Sequence, residues 1–177
     1  MVRSAFSQAQ IMQLMRAEFS RARRHKLPLS CLVIQVDRLL GLAEAHGSDF
    51  KDSVQRELSK LLTEKLRLVD QIGLLQTGSF LALLPHTSGL QAALVAERIR
   101  VAFSALRVEL DGSRIPVTLS IGVAAFQDQD TLFFDSLLAQ AEAALEWATE
   151  ADGDQVGVFE RDRFLRPSDP GPKDSKP

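Results

Sequence analysis

The sequence predicts an α/β domain with about five strands and flanking helices, and three observations carry that prediction. Leu29–Val36 is a nearly continuous apolar run, which is typical of a central strand buried on both faces. Two hairpin patterns follow, one around Gly78 and one around Asp111-Gly112. Segments with apolar residues at helical spacing lie between these strands, so helices are expected to flank the sheet.

The composition is that of a soluble globular domain. The chain has 177 residues, of which 45% are hydrophobic and 25% charged, enough for one domain with its own core. The formal net charge of −2 argues against broad binding to nucleic acid or to an anionic membrane, so we expect neither as a partner. No apolar run approaches the roughly 20 residues of a membrane span, and no signal-peptide core is seen at the N-terminus.

The cysteine and the histidines show no pattern of a disulfide or metal site. The single cysteine, Cys31, lies in an apolar strand and has no disulfide partner in the chain, so a reducing cytoplasm is the expected location. The histidines His25, His46 and His86 are scattered without metal-ligand spacing, and we expect them at the surface.

The first half of the chain predicts two long helices around the apolar strand. An amphipathic helix is expected over residues 7–26, and Pro28 ends this N-terminal segment, residues 1–28. A second helix is expected over residues 49–66, and Gly47 suits the turn before it. Cations crowd the last turn of the first helix, where they suit the helix dipole.

The second half predicts the remaining elements of the domain. An apolar strand ends at Pro85, and a helix runs from Ser88 or Gly89 to about Phe103. A hairpin is then expected over residues 108–117, and the later elements are a strand over 117–124, a helix over 135–150 and a short strand over 156–159. We expect the domain to span residues 29–162 and a disordered tail to span residues 163–177.

A charged pair stands at a fixed distance from the Gly78 turn. Arg67 and Asp70 are three residues apart, and five residues separate Asp70 from the turn Gln76-Thr77-Gly78-Ser79-Phe80. This layout resembles the GGDEF family, the diguanylate cyclase domain, in which Arg-x-x-Asp precedes a Gly-Gly-Asp/Glu-Glu-Phe turn by five residues. The segment Val117-Thr118-Leu119-Ser120-Ile121-Gly122-Val123-Ala124 also closely resembles a strand of that family. The resemblance covers roughly residues 20–160.

The resemblance implies a particular fold. It is the fold of nucleotide cyclases and polymerase palms, a ferredoxin-like βαββαβ core with a central, mostly antiparallel sheet flanked by helices. A hairpin elaborates the C-terminal part. Fold does not fix function, so the functional residues must be compared one by one.

The residues that the resemblance places in the cyclase active site lack the family's chemistry. Magnesium needs hard oxygen ligands, usually carboxylates, to neutralise the triphosphate. The metal-ligand positions are Gln35 and Ser79, with a further acidic position at Gly78. The resemblance also implies losses at the guanine-reading and phosphate-binding positions, which are Ala43, Thr149 and Gly153. We therefore expect no catalytic residues, no bound metal or cofactor, and no enzymatic activity.

The surviving polar set is Arg67, Asp70 and Arg98. In the family, Arg-x-x-Asp is an inhibitory site that binds cyclic di-GMP, assisted by an arginine at the position of Arg98. The chemistry suits that ligand, because a guanidinium matches the O6 and N7 edge of guanine or a phosphate, and a carboxylate accepts from N1–H. A structural role is the alternative: Arg67 favours a helix end, Asp70 can simply pair with it, and Arg98 can be a solvated helix residue.

Two functions follow from different classes. The first is a cyclic di-GMP receptor that uses these three residues. The second is a nucleotide-independent module that binds a protein partner or forms a homodimer. Its candidate contacts are Leu74, Leu75 and the N-terminal helix, although core packing explains them equally well. A third option is one domain of a larger signalling chain, with the N-terminal helix as a coupling linker.

Overall fold

The computed structural model describes residues 4–126 and 133–165, with the side chains of residues 164 and 165 excepted. Its helices are α1 (Gln8–His25), α2 (Leu39–His46), α3 (Ser48–Lys65), α4 (Gly89–Ser104), α5 (Phe134–Glu150) and α6 (Arg161–Leu165). Its strands are β1 (Leu29–Val36), β2 (Gln71–Leu74), β3 (Phe80–Pro85), β4 (Val108–Leu110), β5 (Ser113–Ile115), β6 (Leu119–Phe126) and β7 (Val156–Val158).

Five strands form the central sheet, in the order β2-β3-β1-β6-β7. β1 lies in the middle and pairs antiparallel with both neighbours, so Leu32 faces Ala82 on one side and Val123 on the other. β2 also pairs antiparallel with β3, and β7 alone is parallel, beside β6. The predicted central, mostly antiparallel sheet flanked by helices is therefore confirmed. β4 and β5 form the separate two-stranded hairpin expected around Asp111-Gly112.

The sheet is the middle layer of the domain, because β1 contributes side chains to both of its faces. Leu32 and Ile34 belong to one core cluster, with buried residues of α3 and α4. Cys31 and Val33 belong to the other, with buried residues of α1 and α5. The near-continuous apolar sequence of β1 is explained by this two-sided burial. Burial also raises the pKa of the Cys31 thiol well above its ordinary value.

The N-terminal segment contacts the sheet in two ways, through main-chain hydrogen bonds to β2 and through the buried face of α1. Ser7 begins α1 with a capping box that it shares with Gln10. Just before it, the amide of Phe6 donates to the carbonyl of Ile72, and the amide of Leu74 donates to the carbonyl of Phe6. This pairing extends the β2 edge of the sheet. The buried face of α1 then covers one side of the sheet through Ile11, Met15, Phe19 and Ala22.

Most predicted elements agree with the structure to within two residues at each end. The exceptions are short: α6 has no counterpart in the sequence-based prediction, and α2 was indicated only by the turn at Gly47. α2 has no fully buried residue, although Leu39 and Leu42 are partly buried against the core. Of the histidines expected at the surface, His25 and His86 are exposed and His46 is partly buried.

Two further expectations concern the ends of the chain and the membrane. Residues 163–165, which the sequence places in a disordered tail, belong to α6, and residues 166–177 of that tail lie outside the described residues. Within the described part, no helix has both the length and the apolar character needed to cross a bilayer.

Candidate functional site

The Arg67–Asp70 pair lies in a tight turn between the C-terminal end of α3 and the start of β2. The amide of Asp70 donates to the carbonyl of Arg67 at 3.0 Å, and the amide of Arg67 donates to Oδ2 of Asp70 at 2.8 Å. The turn therefore closes on itself through main chain and side chain together. The three-residue spacing seen in the sequence is what allows this closure.

The two side chains form a forked ion pair. Arg67 Nη2 donates to Oδ1 of Asp70 at 2.8 Å, and Arg67 Nε lies 3.2 Å from each carboxylate oxygen. Asp70 is buried, whereas the Arg67 side chain is 55% exposed. Hydrogen bonding to Asp70 raises the pKa of the Arg67 guanidinium further above its ordinary value. The pair thus presents a fixed cation at the surface above a buried carboxylate.

Two groups that sequence reasoning missed hold the same guanidinium. Arg67 Nη2 also lies 3.0 Å from the carbonyl oxygen of Pro85 and 2.8 Å from Oγ1 of Thr87. Both come from the loop between β3 and α4, about twenty residues further along the chain. The only local signal of this loop was Pro85, which marks the end of a strand.

Arg98 reaches the same region from α4. Its Nη2 donates to the carbonyl of Lys65 at 3.2 Å. Lys65 is the last residue of α3 and lies two residues before Arg67. The arginine is exposed. The structure therefore brings Arg67 and Asp70 into direct contact and places Arg98 against the end of the helix that leads into them.

The Gly78 turn is held by side chains from two other elements. Gly78 has a φ of 86°, in the region that glycine tolerates best, and its carbonyl accepts from Nε2 of Gln55 on α3 at 3.2 Å. The amide of Gln76 donates to Oε1 of Gln8, in the first turn of α1, at 2.7 Å. Phe80 is buried in the core. The turn is thus an integral part of the fold.

The profile of the family described as "Diguanylate cyclase, GGDEF domain" matches residues 6–155. The chain belongs to the GGDEF family. Diguanylate cyclase A from Treponema denticola is 32% identical to this GGDEF domain over 120 residues, which are 68% of this chain and 32% of that protein. The chain thus spans about a third of the length of that curated relative.

Solved GGDEF domains have the same fold. The active GGEEF domain of a Vibrio cholerae diguanylate cyclase has a TM-score of 0.83 at 23% identity, covering 89% of this chain and 99% of that one. SiaD of Pseudomonas aeruginosa, solved with its activator SiaC, has a TM-score of 0.80 at 27% identity, over 86% and 58%. The GGDEF domain of DgcB from Caulobacter crescentus, solved in complex with c-di-GMP, has a TM-score of 0.81 at 16% identity, over 89% and 93%.

The two positions that the resemblance assigns to metal ligands, Gln35 and Ser79, lie side by side in this GGDEF domain and carry neutral side chains. Ile34 pairs with Phe80 across β1 and β3, so Gln35 and Ser79 follow at the same end of the two strands. Gln35 is exposed and Ser79 is buried. Among the described residues, no group of three or more histidine, cysteine, aspartate or glutamate side chains is placed to hold a metal ion.

Asp37 follows β1, two residues after Gln35, and is engaged in structural hydrogen bonds. Its Oδ2 accepts from Oγ1 of Thr118 at 2.7 Å and from the amide of Asp154 at 2.8 Å. Its Oδ1 accepts from Oγ of Ser120 at 2.6 Å. These bonds tie the end of β1 to β6 and to the loop before β7. Asp37 therefore has a structural role at the end of this strand.

Proposed function

We propose that this GGDEF domain does not synthesise cyclic di-GMP and instead acts as a cyclic di-GMP receptor through Arg67, Asp70 and Arg98. The absence of catalysis rests on the neutral side chains Gln35 and Ser79 at the positions of the metal ligands. Condensing two GTP molecules needs a divalent metal at that place, and magnesium binds weakly without carboxylates. A reducing cytoplasm suits the buried free thiol of Cys31.

The observation that carries the receptor proposal is the forked pair of Arg67 and Asp70. The buried carboxylate holds a guanidinium that is still 55% exposed. Because Nε and Nη2 are engaged by Asp70, Pro85 and Thr87, a guanine edge or a phosphate oxygen would meet the exposed remainder of the guanidinium and its charge. Because the side chain is already oriented, binding a ligand costs less conformational entropy than for a free arginine.

Arg98 supplies the second cation that the ligand requires. Cyclic di-GMP carries two phosphodiester charges, and Arg98 lies at the end of α3, next to the Arg67 turn. The DgcB domain solved with c-di-GMP shows that a domain of this fold accommodates that dinucleotide. We extend this ligand to the present chain on the strength of its own arginines.

Calorimetric titration with cyclic di-GMP tests the receptor proposal. The wild-type domain should bind, and Arg67→Ala should abolish the heat signal while Arg98→Ala weakens binding about tenfold. Arg114→Ala is the matched control, because it removes an exposed guanidinium from the β4–β5 hairpin and should bind as the wild type does. A flat titration for the wild-type domain overturns the receptor proposal.

A separate assay tests the absence of catalysis. The purified domain is incubated with GTP and Mg²⁺, and the products are separated by chromatography. No cyclic di-GMP should form over hours at a protein concentration at which an active cyclase consumes its substrate. Formation of the dinucleotide would overturn this half of the proposal and leave the binding result intact.

A nucleotide-independent interaction module is the second candidate, and one surface of α4 favours it. Leu90, Leu94 and Val101 are exposed on one side of this helix, while its opposite side packs on the sheet. Of the two leucines predicted as contacts, Leu74 is 38% exposed and Leu75 is buried in the core. SiaD was solved with a protein activator, so domains of this fold do meet protein partners.

Sedimentation analysis tests the homodimer form of the interaction module. For the interaction module acting as a homodimer, the domain should dimerise without nucleotide, and Leu94→Glu should yield monomers. A domain that is monomeric at all concentrations, with or without cyclic di-GMP, excludes the homodimer form of this function.

A further inference from the structure

Two buried hydroxyl groups, of Ser30 and Thr87, hold the loop between β3 and α4 beside Arg67 through main-chain carbonyls. Ser30 at the start of β1 is fully buried, and its Oγ donates to the carbonyl of Thr87 at 2.8 Å. Thr87 is itself buried, and its Oγ1 donates to the carbonyl of Pro85 at 2.9 Å. The same Oγ1 accepts from Nη2 of Arg67 at 2.8 Å.

The hydroxyl of Thr87 is fixed in the acceptor role toward Arg67. A hydroxyl has one proton to donate, and this proton is used on Pro85. Its lone pairs are therefore left for the guanidinium. The backbone of His86 supports the arrangement with a φ of 54°, a left-handed conformation rare outside glycine. This turn lets the Pro85 carbonyl and the Thr87 hydroxyl meet the same nitrogen.

We propose that Thr87, held by Ser30, is a positioning residue that orients the Arg67 guanidinium for an anionic or guanine-bearing ligand. This inference rests on the proposed receptor function, because the ligand is the one assigned to Arg67 there. Asp70 holds the guanidinium from within its own turn, and Thr87 holds it from the loop before α4. Two independent anchors leave the arginine one orientation, whereas a single anchor permits rotation about the ion pair.

Paired substitutions of Thr87 test the proposal. Thr87→Val keeps the branched shape and loses the hydroxyl, and should weaken cyclic di-GMP binding about tenfold in calorimetry. Thr87→Ser keeps the hydroxyl and should bind within about twofold of the wild type. Ser104→Ala, which removes a hydroxyl bonded only to the carbonyl of Val101 at the far end of α4, is the control and should change nothing. Thermal denaturation of each variant reports whether the fold is intact.

A second readout works without the ligand. In ¹⁵N-labelled protein, the Nη2–H signal of Arg67, assigned by its loss in Arg67→Ala, should exchange slowly with water in the wild type. Thr87→Val should accelerate this exchange, and Thr87→Ser should not. If the wild type fails to bind cyclic di-GMP, the receptor proposal is wrong. The exchange rate of this Arg67 signal still tests whether Thr87 orients the guanidinium. An unchanged Arg67 signal in a folded Thr87→Val protein overturns the positioning proposal.

Discussion

A Cβ atom placed on Gly153 would lie 2.8 Å from Oδ1 of Asp37, so only a glycine lets the two residues approach this closely. The contact brings the loop after α5 against the end of β1. There the Asp37 carboxylate also receives the amide of Asp154 and the hydroxyl groups of Thr118 and Ser120. One carboxylate thus joins three segments of the domain.

Replacing Gly153 tests this approach. Gly153→Ala should lower the free energy of unfolding by about 2–3 kcal/mol, because φ is 72° and the methyl group meets Asp37. Gly112→Ala is the matched control: φ is 78° there, but no atom lies within 4 Å of the added Cβ. It should cost about 1 kcal/mol. Urea denaturation measures both variants, and equal losses would show that the contact with Asp37 contributes nothing.

Removing the Asp37 carboxylate should be more damaging than removing a surface carboxylate. Asp37→Ala leaves two hydroxyl groups and one amide without their acceptor, which should cost about 2–4 kcal/mol of unfolding free energy. Asp52→Ala, on the exposed side of α3, should change stability by about 0.5 kcal/mol or less. If both variants unfold at the same urea concentration, the hydrogen bonds of Asp37 do not stabilise the domain.

The docking of α1 depends on a glycine in β2. A Cβ on Gly73 would overlap the side chain of Ile11, so Gly73→Ala should force α1 away from the sheet and cost about 1–3 kcal/mol. Gly41→Ala, in α2, meets no atom within 4 Å and should be neutral or stabilising by about 0.5–1 kcal/mol. Hydrogen exchange should show faster exchange of α1 amides in Gly73→Ala only. Unchanged protection of α1 would contradict the close packing.

The stability of the domain should depend on pH through Glu142 on α5. Burial, and secondarily repulsion from Glu146, raises the pKa of Glu142 above its ordinary value. The folded state then binds this proton more tightly than the unfolded state, so its contribution favours folding at low pH. In the wild type, that contribution is lost as pH rises through the raised pKa. Because glutamine stays neutral, Glu142→Gln should become more stable than the wild type between about pH 4 and neutrality. Thermal melts across this range should show the two curves converging in acid; parallel curves would contradict it.

Magnesium should have no specific effect on the folded domain. A ligand that binds only the native state raises the melting temperature, and the positions of Gln35 and Ser79 offer no carboxylate for such binding. Millimolar Mg²⁺ should therefore shift the melting temperature no more than Ca²⁺ or the same ionic strength of NaCl. A saturable rise with Mg²⁺ alone would reveal a metal site.

The strands, most helices and the family could be predicted from the sequence because the residue patterns that indicate them are local. The apolar run of β1 reports two-sided burial directly, and the turn at Gly78 needs the positive φ that glycine provides. A contact between Arg67 and Asp70 could be expected for the same reason, because residues three positions apart in a tight turn lie close together. The short helix α6 left no comparable pattern.

The sequence by itself determined which side chains the domain possesses: neutral Gln35 and Ser79 where the resemblance implies metal ligands, and Arg67, Asp70 and Arg98 where it implies an inhibitory site. The tertiary structure decided what holds them. Thr87 and Pro85 anchor Arg67 from about twenty residues away, and Thr118, Ser120 and Asp154 surround Asp37 from more than eighty. Such partners are set by strand order and loop closure, which arise from packing of the whole chain and leave no local periodicity in the sequence.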